Sequence, residues 1–335
     1  MPAIVTFGEL MMRLSPPGVE RLEQAREFGI SFGGVEANVA VALARWGWQA
    51  RHVTRFPDSP LGLQAVQYLR SHGVDCSQVL LGGERMGLYF IETGAMSRAA
   101  RVVYDRAGSA FATLEPGRIP WDAALAGADW FHWSGVTAGI SAAAAACCME
   151  GIQAARRLGL RVSCDIHYRS NLFRYGAAPA EVLRPMAAES TLLLASAEHA
   201  EQLFGLAPEP GADAFASCAQ QLMRQYPGLR YVAETQRESQ SASHHRLSAR
   251  MAHAGGLLET GAHTLLPIVD RIGSGDAFAA GLLYALGADA PPQAALEFAL
   301  AAAALKHSIP GDALLATVLE VQTLADGDGS GKLIR

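Results

Sequence analysis

The sequence lacks the features of a membrane protein, of a disordered chain and of a nucleic-acid-binding protein. No apolar run approaches the ~20 residues that a membrane-spanning helix needs. Half of the 335 residues are hydrophobic and only 18% are charged, a balance that excludes disorder. The 27 basic and 32 acidic residues give a net charge of −5, and no cluster of Lys and Arg forms a nucleic-acid footprint. We therefore expect a globular protein with neither a membrane nor a nucleic acid as partner.

Cysteine is scarce as well, and the five cysteines have no spacing typical of metal ligands. Their number is odd and four lie in apolar or helix-like stretches, so buried free thiols in a reducing compartment are expected. The opening stretch from Met1 to Gly8 has no basic segment and no cleavage site, and it is typical of a strand. Together these observations predict a cytoplasmic protein.

The common nucleotide-binding motifs are also missing. Gly8-Glu9-Leu10, after the first predicted strand, is not a dinucleotide-binding fingerprint. The run Gly329-Ser330-Gly331-Lys332 resembles part of a P-loop, but Asp326 replaces its first glycine and Leu333 replaces its Ser or Thr. We interpret this run as part of a polar tail.

The sequence does contain an alternation of strand-like apolar runs with amphipathic helix patterns. Ser59-Pro60 and Ser141 are typical helix starts, and glycines end the helices that follow them. Strands are predicted at 4–8, 160–166, 191–195 and 229–233, and helices at 35–46, 59–73, 141–159, 197–204, 212–226, 276–286 and 293–307. The pattern predicts one α/β domain over 1–335, with a mostly parallel sheet covered by helices on both faces.

Two segments, 11–33 and 86–110, interrupt this alternation. They are polar, β-leaning and rich in glycine, and Gly87–Glu92 alternates between polar and apolar residues. We interpret them as strands of a small β lid built from two insertions; the alternative is a pair of ordinary long loops. Their length favours a functional lid.

A glycine-rich turn leads directly into a predicted helix at Gly273-Ser274-Gly275-Asp276. Glycines let several backbone N–H groups face one point, and the helix N-terminus adds positive potential there. Such a turn can hold the charge of a transferring phosphoryl group, while the Asp276 carboxylate can accept a proton from an attacking hydroxyl. On the local pattern alone, an Asp that only caps the helix is an equally good interpretation.

A second glycine pair, in Gly33-Gly34-Val35-Glu36-Ala37-Asn38, opens a predicted helix in the same way. Two glycines allow close approach of a ligand, and the Asn38 amide offers both a donor and an acceptor to a polyol. Taken alone, this stretch is better explained as a turn followed by a capped helix.

The two motifs in this order, one near each end, resemble the ribokinase-like (PfkB-type) sugar kinase family over essentially the whole chain. Within the family the chain is most similar to the 2-keto-3-deoxygluconate kinases. The matching residues are Gly34-x-Glu36-x-Asn38, Tyr89, Tyr104-Asp105-Arg106, Asp165-Ile166-His167-Tyr168-Arg169 and Lys306-His307-x-x-x-Gly311-Asp312. The resemblance implies a ribokinase-like three-layer fold with a β lid, and a homodimer or higher homo-oligomer that pairs the exposed edges of the lid.

The resemblance also implies the chemistry, which is transfer of a phosphoryl group from ATP with Mg²⁺ to give 2-keto-3-deoxy-6-phosphogluconate. Asp276 would be the general base, the amides of Gly273, Ser274 and Gly275 the anion hole, and no side chain a direct metal ligand. The implied sugar-acid residues are Gly34, Asn38, Tyr89, Tyr104, Arg106, Arg169 and Asp312; the implied ATP residues are His167, Ser196, Thr235 and Arg237. Since Arg can hold a carboxylate by two parallel hydrogen bonds, a sugar acid is favoured over a neutral sugar.

Three departures from the family pattern fall on the nucleotide side. His167 stands where the family usually has Asn, His199 replaces the carboxylate of an Asn-x-x-Glu motif, and residues 234–238 replace a Lys-x-Gly segment. His244 and His245 are expected in a loop beside the nucleotide site. Two alternatives therefore stay open: a kinase of the same fold for fructose, ribose or 2-keto-3-deoxygalactonate, and a sugar-acid-binding protein that has lost catalysis.

Overall fold

The structure, a computed structural model, describes residues 1–169, 171–327 and 329, and it confirms the predicted α/β fold. The run Gly329–Lys332, interpreted above as tail, lies outside the described residues except for Gly329. The strands are β1 (Ala3–Phe7), β2 (Met11–Ser15), β3 (Gly29–Gly33), β4 (Gln49–Val53), β5 (Arg55–Phe56), β6 (Leu80–Leu81), β7 (Leu88–Glu92), β8 (Arg101–Asp105), β9 (Trp130–Ser134), β10 (Arg161–Asp165), β11 (Leu192–Leu194), β12 (Tyr231–Ser241), β13 (His244–His253), β14 (Gly256–Glu259) and β15 (His263–Leu265).

The helices begin where the sequence places helix-starting residues. Ser59 Oγ accepts a hydrogen bond from the Gly62 amide, and Ser141 Oγ accepts one from the Ala144 amide, so both predicted N-caps are confirmed. The helices are α1 (Val35–Arg45), α2 (Pro60–Ser71), α3 (Trp121–Ala124), α4 (Gly135–Ile140), α5 (Ala142–Arg157), α6 (Pro179–Ala187), α7 (Ala197–Phe204), α8 (Ala214–Gln225), α9 (Ser274–Gly287), α10 (Pro292–Lys306) and α11 (Val318–Ala325).

The main sheet has nine strands in the order β14-β13-β12-β11-β10-β9-β1-β4, with β15 also paired to β13. From β12 to β4 all neighbouring strands are parallel, whereas β13, β14 and β15 pair in antiparallel fashion. The loops after the parallel strands therefore gather at one edge of the sheet, which is where α/β proteins bind ligands.

Helices cover both faces of this sheet in three layers. Successive strand residues alternate between the faces, so that Ile4 packs into one hydrophobic cluster and Val5 into another. The first cluster contains buried residues of α1, α2, α9 and α10, and the second contains buried residues of α5, α6, α7 and α8. All five cysteines are buried and free, as predicted. In the described part of the chain, no helix is both long and apolar enough to cross a membrane.

A second sheet, which we call the lid sheet, joins strands from the two interrupting segments in the order β3-β2-β7-β8. Its cross-strand neighbours form two rows, one of Ser31, Arg13, Tyr89 and Tyr104 and one of Ile30, Leu14, Phe90 and Val103. Because side chains alternate across a strand, the two rows lie on opposite faces. One face of the lid sheet is therefore polar and the other is apolar.

The hairpin of β12 and β13 corrects one prediction. His244 and His245 do not lie in a loop; they begin β13, and His245 is buried opposite Ser239 of β12. β12 also continues to Ser241, well past the predicted end at 233. The exposed part of β12 is polar, so the sequence has no alternating apolar pattern that would predict a strand there. Backbone hydrogen bonds to the antiparallel neighbour stabilise this part of the strand.

Candidate active site

A cleft of about 1080 Å³ lies between the carboxyl edge of the main sheet and the polar face of the lid sheet. It is lined by loops that follow parallel strands, by the first residues of α1 and α9, and by the lid sheet. Thirteen predicted site residues line it, namely Gly34, Asn38, Tyr89, Tyr104, Arg106, His167, Arg169, Arg237, Gly273, Ser274, Gly275, Asp276 and Asp312. Residues far apart in the chain are thus brought to one place.

The start of α9 is shaped to receive an anion. Gly273 has a φ of 80°, and a Cβ there would lie 1.9 Å from the carbonyl oxygen of Asp312, so the turn requires glycine. No described side chain caps this helix. Its first N–H groups therefore stay available to a ligand, and the helix dipole favours negative charge at this end.

Asp276 is the third residue of α9 and is only 5% exposed. Asn38 of α1 donates a hydrogen bond from Nδ2 to its Oδ2 at 2.6 Å. Burial raises the pKa of the Asp276 carboxyl to about 6, against the opposing effects of His167 and of the Asn38 hydrogen bond. A carboxylate that titrates near neutral pH is suited to accept a proton from a hydroxyl.

Asp165, at the end of β10, lies close to Asp276 and to His167. One potential ligand atom from each of the three residues lies within 4.8 Å of the others, a grouping that could hold a metal ion. Burial raises the pKa of Asp165, but its hydrogen bond with His167 and the neighbouring imidazoles outweigh burial and hold that pKa below its ordinary value. Arg169 donates to His167 Nε2 at 2.7 Å, which places the ring proton on Nδ1, the nitrogen facing Asp165.

Asp312 is bound by two residues of the lid sheet. Its Oδ1 accepts a hydrogen bond from Arg13 Nη1 at 2.8 Å, and its Oδ2 accepts one from the Tyr89 hydroxyl at 2.6 Å. Arg13 also reaches Asp270 at 2.7 Å. Burial raises the pKa of Asp312, while Arg13 and Tyr89 act against it. Sequence reasoning missed Arg13; the available signal was a charged residue between apolar neighbours in a strand.

Two arginines predicted to bind the substrate have different surroundings. Arg106 donates to Glu9 through Nε at 2.8 Å and through Nη2 at 2.5 Å, and Glu9 also accepts from Ser109. Arg169 is exposed, donates to the Tyr104 hydroxyl at 3.2 Å, and has no carboxylate partner among the described residues. The charge of Arg169 is therefore open to an incoming acid.

Glu36, which the sequence reasoning quoted only as part of a motif, is a buried carboxyl beneath the cleft. Its Oε1 accepts hydrogen bonds from the amide and hydroxyl of Ser134 and from the hydroxyl of Thr137. Burial raises its pKa to about 7, although these hydrogen bonds lower it. Glu36 ties the start of α1 to the end of β9 and to α4.

The predicted nucleotide residues divide into two groups. His167 and Arg237 line the cleft, and Arg237 donates to Ser274 Oγ at 2.8 Å beside the start of α9. Ser196 instead caps α7 in a reciprocal arrangement with His199, and it is not among the described residues that line the cleft. Thr235 is exposed on β12 and does not line it either. Arg271, not singled out from the sequence, does line it.

The cleft combines an uncapped helix start with a buried carboxylate at the carboxyl edge of a parallel sheet. Such an arrangement can support the transfer of a phosphoryl group to a hydroxyl. The glycines at both helix starts and the lid sheet bound the same cleft. The model of the pfkB family of carbohydrate kinases matches residues 1–316. The chain belongs to this family.

Named relatives resemble the chain over nearly its whole length. It is 34% identical over 328 residues to the 2-dehydro-3-deoxygalactonokinase of Haloferax volcanii, covering 98% of both chains. The crystal structure of the 2-dehydro-3-deoxygluconokinase of Thermotoga maritima superposes with a TM-score of 0.93 and 38% identity, over 98% of this chain and 100% of that one. A pfkB family carbohydrate kinase from Listeria grayi follows with a TM-score of 0.92 and 33% identity, over 97% and 99% of the two chains.

Proposed function

We propose that the protein phosphorylates the terminal hydroxyl of 2-keto-3-deoxygluconate with ATP, giving 2-keto-3-deoxy-6-phosphogluconate and ADP. The observation that carries the proposal is Asp276, a buried carboxylate with a pKa of about 6, at the uncapped start of α9 in an arginine-lined cleft. The similarity to the Thermotoga maritima 2-dehydro-3-deoxygluconokinase supports the choice of substrate.

In the proposed reaction, the substrate hydroxyl oxygen attacks the γ-phosphorus of ATP while its proton passes to Asp276. The bond from phosphorus to the bridging oxygen breaks, and ADP leaves with that electron pair. The amides of Gly273, Ser274 and Gly275 stabilise the charge on the transferring group, because an oriented helix start needs no rearrangement to do so. Arg237, held on Ser274, adds a positive charge at the same point.

The acid end of the substrate would meet Arg169. Its guanidinium has no described carboxylate partner, and the Tyr104 hydroxyl to which it donates lies on the polar face of the lid sheet. Arg106 contributes less new attraction, because Glu9 already neutralises much of its charge. Gly34, Asn38, Tyr89 and Asp312 would surround the rest of the sugar acid.

The donor set at the cleft fits a magnesium nucleotide. Mg²⁺ prefers oxygen ligands, and Asp165 and Asp276 present carboxylate oxygens at the site where the phosphates would lie. When bound, the ion neutralises charge on the phosphates. His167 and Arg237 would contact the nucleotide; Ser196 and Thr235 lie farther out and would need a nucleotide that extends past the cleft wall.

The lid sheet would close over the sugar acid and exclude water, which otherwise competes as phosphoryl acceptor. Its outer apolar row, which includes Ile30 and Val103, would pair with the same row of a second copy. Ile30 is 55% exposed and Val103 is 39% exposed, so this face is available to a partner of matching chemistry.

The 4-epimer, 2-keto-3-deoxygalactonate, is a second candidate substrate. The relative from Haloferax volcanii, 34% identical over nearly the whole chain, is named for that compound. The two acids differ only in one hydroxyl configuration, and both present a carboxylate to Arg169 and a terminal hydroxyl to Asp276. The same site therefore serves either reaction, and their ratio of kcat/KM decides between them.

The test is a coupled assay of ADP release with 2-keto-3-deoxygluconate, 2-keto-3-deoxygalactonate, fructose and ribose measured side by side. Turnover on a sugar acid that falls by about 10²- to 10⁴-fold in Asp276→Asn would support the proposal. Asn171→Ala, another cleft-lining residue, serves as the control. No turnover on any sugar by a folded protein that binds the acid in calorimetry would instead indicate a binding protein without catalysis.

A further inference from the structure

Lys306, the last residue of α10, is a fully buried lysine beneath the cleft, with an exposed fraction of 0%. Only two of the 27 basic residues of the chain are lysines, Lys306 and Lys332. The Lys306 ammonium donates to the carbonyl oxygen of Ile309 at 2.8 Å and to that of Asp270 at 3.4 Å. No carboxylate of the described residues lies within 4.0 Å of it. This ammonium takes no part in the proposed phosphoryl transfer.

The two carbonyl groups belong to two loops that meet at the active site. Asp270 lies in the loop between β15 and α9, which includes the glycine turn at Gly273, while Ile309 lies in the loop after α10, which supplies Asp312. The loops also touch directly, since Asp270 Oδ2 accepts from the Gly311 amide at 3.1 Å and Gly273 packs against the Asp312 backbone. The Lys306 ammonium is thus a cation shared by both loops.

A buried ammonium without an adjacent carboxylate is costly, so its surroundings have to offset that cost. Burial lowers the pKa of Lys306, while the charges of Asp270, Asp312 and Asp276 raise it and that of Arg13 lowers it. The negative end of the α10 dipole also favours a cation at this position. The three carboxylates that surround Lys306 at longer range are the ones that organise the anion hole, the substrate loop and the base.

We propose that Lys306 is a positioning residue whose ammonium acts as an internal monovalent cation, holding the anion-hole loop against the Asp312 loop. Backbone carbonyl groups can replace the hydration shell of a small cation. Here two carbonyl groups bind the ammonium of Lys306, a cation that is covalently attached to the chain. The two hydrogen bonds of the ammonium fix Gly273 and Asp312 relative to each other, and its positive charge lies behind the start of α9. Without it, the amides of the turn would lose their alignment towards the phosphoryl group.

The proposal rests on the proposed kinase function, and the experiment uses Lys306→Ala and Lys306→Met in the full-length protein. Ala leaves an oxygen-lined space that a free ammonium ion can enter, whereas Met fills that space without a charge. We expect both variants to lose about 10- to 100-fold in kcat, with a smaller change in KM for the sugar acid. Ammonium chloride should restore Lys306→Ala at least in part and leave Lys306→Met and the wild type unchanged, with sodium chloride as the ionic-strength control.

Leu300→Ala, a buried change in the same helix, controls for lost packing: it should lower the melting temperature without an ammonium effect. Wild-type kcat in Lys306→Ala, or loss of kcat that ammonium does not restore, would overturn the proposal. Calorimetry of ATP binding gives a second readout, in which Lys306→Ala should bind more weakly and recover with ammonium. If the wild type binds ATP but turns over no sugar, the kinase proposal fails. The effect of ammonium on the ATP affinity of Lys306→Ala then still decides the role of Lys306.

Discussion

Arg13 and Asp312 are joined by a 2.8 Å ion pair although 299 residues separate them in the chain. Arg13 lies on the lid sheet, and Asp312 lies in the loop behind the anion hole. The pair therefore joins the part of the molecule that covers the cleft to the part that holds its catalytic loop. Both side chains are nearly inaccessible, at 6% and 5% exposed.

Replacing Arg13 by Met should destabilise the protein by about 3–5 kcal/mol, because it leaves two buried carboxylates, Asp270 and Asp312, without their cation. Urea unfolding measures the free energy of unfolding. Arg21→Met is the matched control, since Arg21 is 54% exposed and Glu23 is its one ion-pair partner among the described residues, so its loss should cost less than about 1 kcal/mol. Equal effects of the two substitutions would contradict the role of the buried pair.

Arg169 and Arg106 should respond differently to replacement by Ala. Losing Arg169 should raise KM for the sugar acid by about 10- to 100-fold, as expected for one charged hydrogen-bond partner, with no change in melting temperature. Losing Arg106 should also lower the melting temperature, because Glu9, 3% exposed, then has no cation. The methyl ester of the sugar acid is the control substrate. If KM for the ester rises as much as KM for the acid in Arg169→Ala, Arg169 does not bind the carboxylate.

The activity should depend on pH through Asp276. A general base must be deprotonated, so kcat/KM should fall as the pH drops through about 6, the pKa of Asp276. Asn38→Ala removes a hydrogen bond that favours the carboxylate, so this midpoint should move to higher pH. In Asn171→Ala, which has no hydrogen bond to Asp276, the midpoint should stay in place. A midpoint that is the same in all three proteins would assign the titration to another group.

Stability should depend on pH through Glu36. Its pKa in the folded protein, about 7, exceeds the ordinary value of 4.5, so the unfolded chain loses this proton first as the pH rises. The free energy of unfolding should therefore decrease between pH 4.5 and about 7, by about 3 kcal/mol from this group. Glu36→Gln should remove that decrease, whereas Glu297→Gln, on the exposed side of α10, should retain it. Parallel slopes for wild type and Glu36→Gln would count against the assignment.

The outer row of the lid sheet should mediate dimer formation. Val103→Asp places a charge at the β8 end of this apolar row and should convert a dimer to a monomer in light scattering coupled to gel filtration. Leu319→Asp provides the control, because Leu319 is 69% exposed on α11, away from the lid sheet. A monomeric wild type would refute the dimer, and a dimeric Val103→Asp would place the interface elsewhere.

Local signals in the sequence predicted most of the helices and parallel strands. Ser59 and Ser141 mark helix starts through their side-chain oxygens, and Gly47 and Gly159 end helices with positive φ values of 88° and 79°. These effects act over a few residues, so a linear pattern contains them. The lid sheet was also predicted from two segments, because their polar alternation differs from the buried strands around them.

What the sequence did not reveal depends on partners distant in the chain. Arg13 forms ion pairs with Asp270 and Asp312, and Arg106 forms one with Glu9. These pairs join segments that meet only in the folded protein. His167 and Arg237, which line the cleft, were proposed as nucleotide residues through the family resemblance. Arg271 and Glu36 were not assigned roles, since nothing in their neighbours distinguishes them from surface or capping residues. The start of β13 at His244 was missed because the strand that it pairs with, the exposed and polar second half of β12, was not predicted either.

The order in which the chain is synthesised gives the Arg13 pair a further consequence. The lid strand that contains Arg13 leaves the ribosome early, while Asp270 and Asp312 emerge near the end of translation. Burying a guanidinium without its carboxylate partners has a high free-energy cost. The nascent chain therefore cannot bury Arg13 until Asp270 and Asp312 have been synthesised. The contacts that hold Arg13 in the lid sheet can therefore form only after residues 270–312 have been synthesised.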